Sequence, residues 1–523
     1  MQAVSFGGLG MARWCFTILL CSLIGLLRAQ PVTTPVPRSI TLLYTNDFHC
    51  AIDPIPAYWL PGQPRVGGAA HLATLVNRIR QRDSTVFLFD AGDMFTGTQS
   101  FLSRGAVMME MMRAMRYDAM AIGNHEFDYG SDNFTRQMNR VPFPILGANI
   151  FFQGTDHPYC RPSVILERNG LRVGVIGIIG ADARDVSLKT GVATLDFRDP
   201  VPLLQAAVDE LKPQVDLIVV LAHQGQTGPM QTDAEAHPDL QRAFAEDIRV
   251  CGAVRGIDVF VGGHAHRGIE QPYVHSQTGT LIVQTYGYGT RLGYLTLQVK
   301  GGQVLSHRGE LLKVYTDSLP PDPAVVRALW PYQQQLAREM GPPLANAPRR
   351  LVRDYRTVSP LGAFVADVMR ATSGADVAFV NAGGLRADLP QGPVTRAHVL
   401  DALPFENTLV MCTMSGTQVL EALRHGLTRE RGMLQFSGLR VRTRRDGTLE
   451  QVLIGGKPLV PARSYSVAVS SFIQQGGDLY EVFTHASNVR DSGKLISSII
   501  CDYLRQHGFP AAESVSRFEV KGK

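Results

Sequence analysis

Five times along the first half of the chain, a short and nearly unbroken run of apolar residues stops at a polar cluster of Asp, Asn, His and Gly. The runs are Ser39–Thr45, Thr85–Phe89, Tyr117–Ile122, Asp216–Leu221 and Ile257–Val261. Short apolar runs ended by turn formers read as buried β-strands. Ala69–Arg82 and Asp199–Leu211 instead carry apolar positions at helical spacing, and further strands are expected over Pro144–Ala148 and Leu171–Ile179. Arg104–Arg116 holds Met108, Met109, Met111, Met112 and Met115, which read as adaptable filler on the buried face of a helix. A further helix is expected from Ser131 onward. Strands alternating with helices predict an α/β layout, whose chemistry sits in loops at the carboxyl ends of the strands.

The first run leads into Asp47 and His49, which a continuing strand would project from one face. The second ends in Gly92-Asp93-Met94-Phe95-Thr96-Gly97, where glycines let the backbone approach whatever Asp93 binds. The third supplies Asn124, His125, Glu126 and Asp128, the fourth His223, and the fifth His264 and His266. Any one of these alone reads as turn chemistry or a core histidine. Together they form a nitrogen and oxygen donor set without thiolate, suited to zinc, manganese or iron. Asp47, His49, Asp93, Asn124, His223, His264 and His266 exceed the needs of one ion. Two divalent ions sharing a carboxylate would use them all, an arrangement that clamps the attacking and departing oxygens of phosphoryl transfer. His125 can then give a proton or a hydrogen bond to an anion, with Asp128 holding its ring. Glu126 has no role that its type and position define.

A length of 523 residues calls for more than one core. The composition shifts at Thr316–Gly341, where Pro320, Pro321 and Pro323 precede AVVRALWPYQQQLAREM, read as a linker and a bridging helix. Beyond it, SPLGAFVADVMR reads as a helix and DVAFVNAGGLR as a strand leading into a loop. The halves show no internal repeat. A net charge of +5 argues for neither a nucleic-acid polymer nor a membrane surface as partner. Arg13 precedes the apolar segment Trp14–Leu27, which ends in Leu27-Arg28-Ala29, so residues 1–29 are expected to be a signal peptide. That segment is short for the ~20 residues of a membrane helix, and the end VSRFEVKGK has no apolar tail. The expectation is a soluble protein, secreted or periplasmic, without a membrane anchor. Cys50, Cys160, Cys251, Cys412 and Cys501 form no CxxC, and the sequence does not pair them.

In order, the DxH of Asp47–His49, the GDxxxG of Gly92–Gly97, the GNHE of Gly123–Glu126, the AHxG of Ala222–Gly225 and the GHxH of Gly263–His266 resemble the calcineurin-type metallophosphatases, specifically the secreted 5′-nucleotidase family. The second half resembles that family's C-terminal domain. Its N-x-GG-[IL]-R motif matches Asn381–Arg386, its PF-x-N matches Pro404–Asn407, and its F-x3-GGD matches Phe472–Asp478. The resemblance implies an α/β (α+β) protein with a four-layer αββα metallophosphatase sandwich over 39–315, a linker helix over 316–345 and a smaller α/β substrate domain over 346–521, able to rotate about the linker.

It further implies that Asp47, His49, Asp93 and His266 hold one ion and Asp93, Asn124, His223 and His264 the other. Arg386 and Arg356, or Arg353 in the latter's place, would anchor the phosphate or sugar. Asn381 and Asp478 would take the ribose and base edge, and Phe405 and Phe472 would sandwich the base. The implied activity is release of phosphate from nucleoside 5′-phosphates. UDP-sugars, 2′,3′-cyclic nucleotides and the thiosulfate-linked protein of related sulfur-oxidation enzymes are alternatives, and the paired phenylalanines favour a nucleobase over the last. A nucleotide-sequestering protein on a dead scaffold should have lost a ligand or His125, and none is lost. The chain departs from the family where GGDGY or GGDGF is common: it reads GGDLY, with Leu479 near the base pocket.

Overall fold

The five apolar runs are strands β1 (Arg38–Thr45), β2 (Val86–Asp90), β3 (Ala119–Ala121), β4 (Leu217–Gln224) and β5 (Val259–His264) in a computed structural model that describes residues 36–57, 59–225, 244–428, 432–510 and 517–521. The expected signal peptide lies outside these residues. No helix among them is long and apolar enough to cross a membrane.

β1, β2 and β3 run parallel inside a six-stranded sheet ordered Gln303–Lys313, Arg291–Lys300, β1, β2, β3, Ile145–Leu146. β4 and β5 run parallel inside a second six-stranded sheet, with β4 also paired to Leu171–Ile179. The strands are covered on both faces, which is why they read as continuous rather than alternating apolar runs. Leu42, Tyr44, Phe87 and Phe89 point inward and pack against Val173, Val175, Val219, Leu221 and Val259 of the other sheet. Leu43, Leu88 and Met120 point the other way, onto Ala69, Leu72 and Val76 of the helix Ala69–Arg82 and onto Met108 and Met112. Ile176, Val220 and Phe260 likewise meet Leu204, Val208 and Val250 of helices on the far side. The result is four layers: helices, sheet, sheet, helices.

All five methionines of the 104–116 segment are buried. The helix there starts only at Ala106, because Arg104 and Gly105 are left-handed (φ 52° and 84°) and end a short helix, Thr98–Ser103, that the sequence pattern did not reveal.

The helix Pro323–Met340 begins with Pro at its first turn and Asp322 as cap, accepting from the Ala324 and Val325 amides. The strand Pro343–Ala347 follows at once and pairs antiparallel with Gly392–Thr395, so residues 343–345, read from sequence as linker, pair with the second half. That half has its own five-stranded sheet, ordered Gln435–Ser437, Val377–Val380, Ser464–Ser470, Thr408–Ser415, Ser487–Leu495. Helices Pro360–Ser373 and Ile496–His507 cover one face, and Gly416–Thr428 packs with the other.

One polar group sits deep in the first half. Asp247 is 2% exposed and accepts from Gln224 Nε2 at 3.0 Å, while its Oδ2 has no hydrogen-bond partner among the described residues. Burial pushes this carboxyl up to about 7 from an ordinary 3.8. The folded protein therefore binds this proton more tightly than the unfolded chain, and stability on this account falls as pH rises from about 4 through 7. Asp247→Asn keeps an acceptor for Gln224 and removes the buried charge. It should raise stability at pH 8 by up to about 4 kcal/mol and by little at pH 4, measured as denaturant midpoints at the two pH values. Equal shifts at both would show that Asp247 is not the group titrating.

Candidate active site

The carboxyl ends of β1 to β5 converge on one edge of the stacked sheets, where the last residues of β4 and β5 include His223 and His264 and the loops hold the other five proposed donors, all seven buried. The sequence predicts a continuing strand that projects Asp47 and His49 from one face; β1 stops at Thr45, before either residue. Both are instead left-handed, at φ 52° and 45°, as are Asp93 at 63°, His264 at 67° and His266 at 52°. Such backbone is sparsely populated and persists where surrounding contacts over-determine it, most often at functional sites. Those contacts are visible: the Asp47 amide donates to Gly92 O at 2.9 Å and the His49 amide to Asp93 O at 3.0 Å. At Gly123 a Cβ would lie 2.3 Å from Asp93 Oδ1, so the third loop closes on the second only because that position is glycine.

The donors form two groups. In the first, Asp47 Oδ1 is 3.2 Å from His266 Nε2 and 3.7 Å from His49 Nε2, and the two imidazole nitrogens face each other at 3.3 Å. In the second, His223 Nε2 lies 3.1 Å from both Asp93 Oδ2 and His264 Nδ1 and 3.2 Å from Asn124 Oδ1. Asp93 joins them, its Oδ2 also standing 3.9 Å from His49 Nε2. His223 Nδ1 donates to Ala91 O at 2.8 Å, which turns Nε2 toward the group.

Burial, then Arg386, depresses His49 well below its usual range, and burial depresses His266 against the pull of Asp47, so both rings are neutral donors. Burial opposes charge on His223 too, but Asp93 outweighs it and lifts the ring to about 10. At Asp93 itself burial is outweighed by His223 and His125, and the carboxyl is held well below its usual range. Converging lone pairs and carboxylates in a buried space are costly unless a cation lies among them, and the oxygen and imidazole types present are those that divalent ions take. The residues fit two such ions.

His125 lies beside this cluster, with Nε2 3.9 Å from Asp93 Oδ2. Asp128 Oδ1 holds its Nδ1 at 3.0 Å. Burial works against a charged ring, but Asp128 and Asp93 outweigh it and raise His125 above its ordinary value. Glu126, for which sequence offered no role, is fully buried and accepts from the amides of Asp93 (3.0 Å), Met94 (2.8 Å), Phe95 (3.2 Å) and Gly123 (2.7 Å). It ties the second loop to the third, and so fixes Asp93 against Asn124.

The second half closes over the cluster. Arg386 brings Nη2 to 3.2 Å from His49 Nε2, and its Nε is buried with no hydrogen-bond partner among the described residues. A cavity of about 80 Å³ opens from Asn124, His125 and Asp128 toward Asn381, Arg386, Phe405, Phe472 and Asp478. Asn381 Nδ2 donates to Asp478 Oδ2 at 2.7 Å. Phe405 stacks on His125, with centroids 5.4 Å apart and an angle of 21°. The Phe472 ring lies against Gly477 and packs partly on the second half's core. Leu479 is 40% exposed and left-handed at φ 62°, so this chain keeps in a bulky residue the conformation that glycine would adopt freely.

Arg356 is exposed and, with Arg353, faces a separate cleft of about 880 Å³ on the His49 side rather than the smaller cavity. Tyr355 borders both spaces, and Val186 and Leu188 of the first half wall the smaller one. None of these three carried a signal in the sequence.

A two-metal donor set on paired, helix-covered sheets defines a metal-dependent phosphoesterase, and residues 40–268 match the calcineurin-like phosphoesterase family. Residues 342–485 match the 5′-nucleotidase C-terminal domain. The crystal structure of a 5′-nucleotidase precursor from Thermus thermophilus superposes with a TM-score of 0.80 at 30% identity, covering 93% of this chain and 100% of that one. The chain belongs to the 5′-nucleotidase family. A 5′-nucleotidase from Vibrio cholerae is 28% identical over 92% of this chain and 93% of its own. A sulfate thiohydrolase from Thermus thermophilus shares the fold, with a TM-score of 0.74 at 20% identity over 92% of this chain and 97% of that one.

Proposed function

We propose that this protein releases phosphate from nucleoside 5′-monophosphates, binding the phosphoryl group at the metal cluster and the nucleoside between the residues that line the cavity beside it, which at about 80 Å³ must widen to admit it. The observation that carries this reading is continuity: His125 and Arg386 belong at once to the cluster and to the cavity lined by Phe405, Phe472, Asn381 and Asp478. Asp47, His49, Asp93 and His266 would hold one ion, and Asp93, Asn124, His223 and His264 the other. Bound there, the ions supply positive charge for the phosphoryl oxygens and activate water for in-line attack.

The rest belongs to the chain. Arg386 neutralises a phosphoryl oxygen with a half-buried guanidinium already set against His49. Asp128 holds the His125 ring so that Nε2 faces the cluster, where it offers a proton or hydrogen bond to the charge that builds in the transition state. Phe405 stacks on one face of that ring and shields it from water. The Asn381–Asp478 pair presents oxygens to ribose hydroxyls. Domain limits of 39–315, 316–342 and 343–521 go with this reading, as does export, supported by Arg13 and the apolar segment Trp14–Leu27.

Phosphate release by the metal-loaded protein from AMP, UDP-glucose and 2′,3′-cyclic AMP tests the substrate class, with AMP expected to be preferred. Phe472→Ala tests the nucleoside half. Stacking on an aromatic ring is worth ~1–3 kcal/mol per base, so capture of AMP should fall by about 5- to 150-fold while ribose 5-phosphate is hydrolysed as before. An unchanged ratio of the two kcat/KM values in a stably folded variant would remove the base from the proposal and leave a phosphoesterase of another substrate class.

A further inference from the structure

Tyr288 touches the metal cluster and Arg386 together, and no motif contains it. It is half-buried and left-handed, at φ 63°, an uncommon conformation for a bulky residue. Three contacts hold it there. Its amide donates to Asp47 O at 2.9 Å, its ring stands edge-on to His49 with centroids 6.1 Å apart, and its hydroxyl donates to the carbonyl of Arg386 at 3.1 Å. The first two contacts tie it to metal-binding loops of the first half. The third crosses to the second half.

The Arg386 backbone is pinned at two points. Its amide donates to Ala402 O at 2.9 Å within its own half, and its carbonyl accepts from Tyr288. Only the second bond ties that backbone directly to the loops that carry Asp47 and His49. The guanidinium, whose Nη2 stands 3.2 Å from His49 Nε2, is therefore aimed by a bond made at the other end of its residue. We propose that Tyr288 is a positioning residue: its hydroxyl sets Arg386 against the metal cluster and so raises the site's affinity for a phosphoryl group. The inference rests on the phosphoryl-binding role proposed above for Arg386.

The test is a double-mutant cycle in the metal-loaded, full-length protein, with inorganic phosphate as the probe and its affinity read by titration calorimetry. Tyr288→Phe removes one oxygen and should weaken phosphate binding measurably, by up to roughly 10-fold, the ceiling set by losing one hydrogen bond that aligns the free site. The same factor should appear in kcat/KM for AMP, with metal content and thermal midpoint unchanged. In an Arg386→Ala background, where no guanidinium remains to be aimed, Tyr288→Phe should cost nothing further. Equal losses in both backgrounds would overturn the proposal, because Tyr288 would then act without Arg386. If Arg386→Ala alone left phosphate affinity intact, the phosphoryl-binding role would fail, and the positioning role with it.

Discussion

Asp93→Asn protein is expected to lose bound metal and turnover together, with activity lower by about 10³-fold or more. The carboxylate lies between the two donor groups, Oδ2 standing 3.1 Å from His223 Nε2 and 3.9 Å from His49 Nε2, while Oδ1 accepts from the His125 amide at 2.9 Å. Asparagine keeps the shape but offers a single neutral oxygen. With that oxygen turned to the ions its NH2 group meets the His125 amide, and with it turned to the amide the NH2 group meets the ions. Elemental analysis of the purified variant, with thermal midpoint as a check on folding, decides the matter. Two retained metal equivalents with near-normal turnover would sink the bridging role.

His125→Ala should separate binding from chemistry, leaving both ions in place and slowing turnover by about 10²–10³, the usual loss for one charge-stabilising donor. The ring is held by Asp128 at 3.0 Å and backed by Phe405 at 5.4 Å, which suits a group aimed at substrate. Its neighbourhood does allow a rival: one ligand atom each from His49, Asp93 and His125 come within 4.8 Å of one another. Metal content discriminates. Should the variant lose an ion, His125 is a ligand and the split of the GNHE loop into one ligand and one donor is wrong.

The strands at the centre of the first half were legible because both of their faces are covered, leaving nearly unbroken apolar runs. The donors were legible because Asp, Asn and His cluster at the carboxyl ends of those runs. What stayed hidden depends on backbone geometry and on contacts distant in sequence. β1 ends at Thr45, and left-handed turns rather than strand alternation aim Asp47 and His49. Glu126 works through four amides from two loops, and no linear pattern marks a carboxylate whose partners are backbone. Tyr288 meets Arg386 across 98 positions of sequence. Arg356 sits three residues from Arg353 and one from Tyr355, and spacing this short does not show that of the three only Tyr355 reaches the smaller cavity.

The left-handed turns at Asp47, His49, Asp93, His264 and His266 also bear on which amino acids could ever replace these ligands. Away from glycine, Asn, Asp and His are the residues most often found in that region of backbone space, and glycine has no side chain with which to coordinate. Other side chains do adopt such turns here, Cys50 at φ 56° among them, so the backbone biases the choice toward Asp and His without closing it to the rest. The short menu of Asp and His at these positions meets two independent demands at once, and a substitution that satisfied the ion alone would still have to be accepted by the turn.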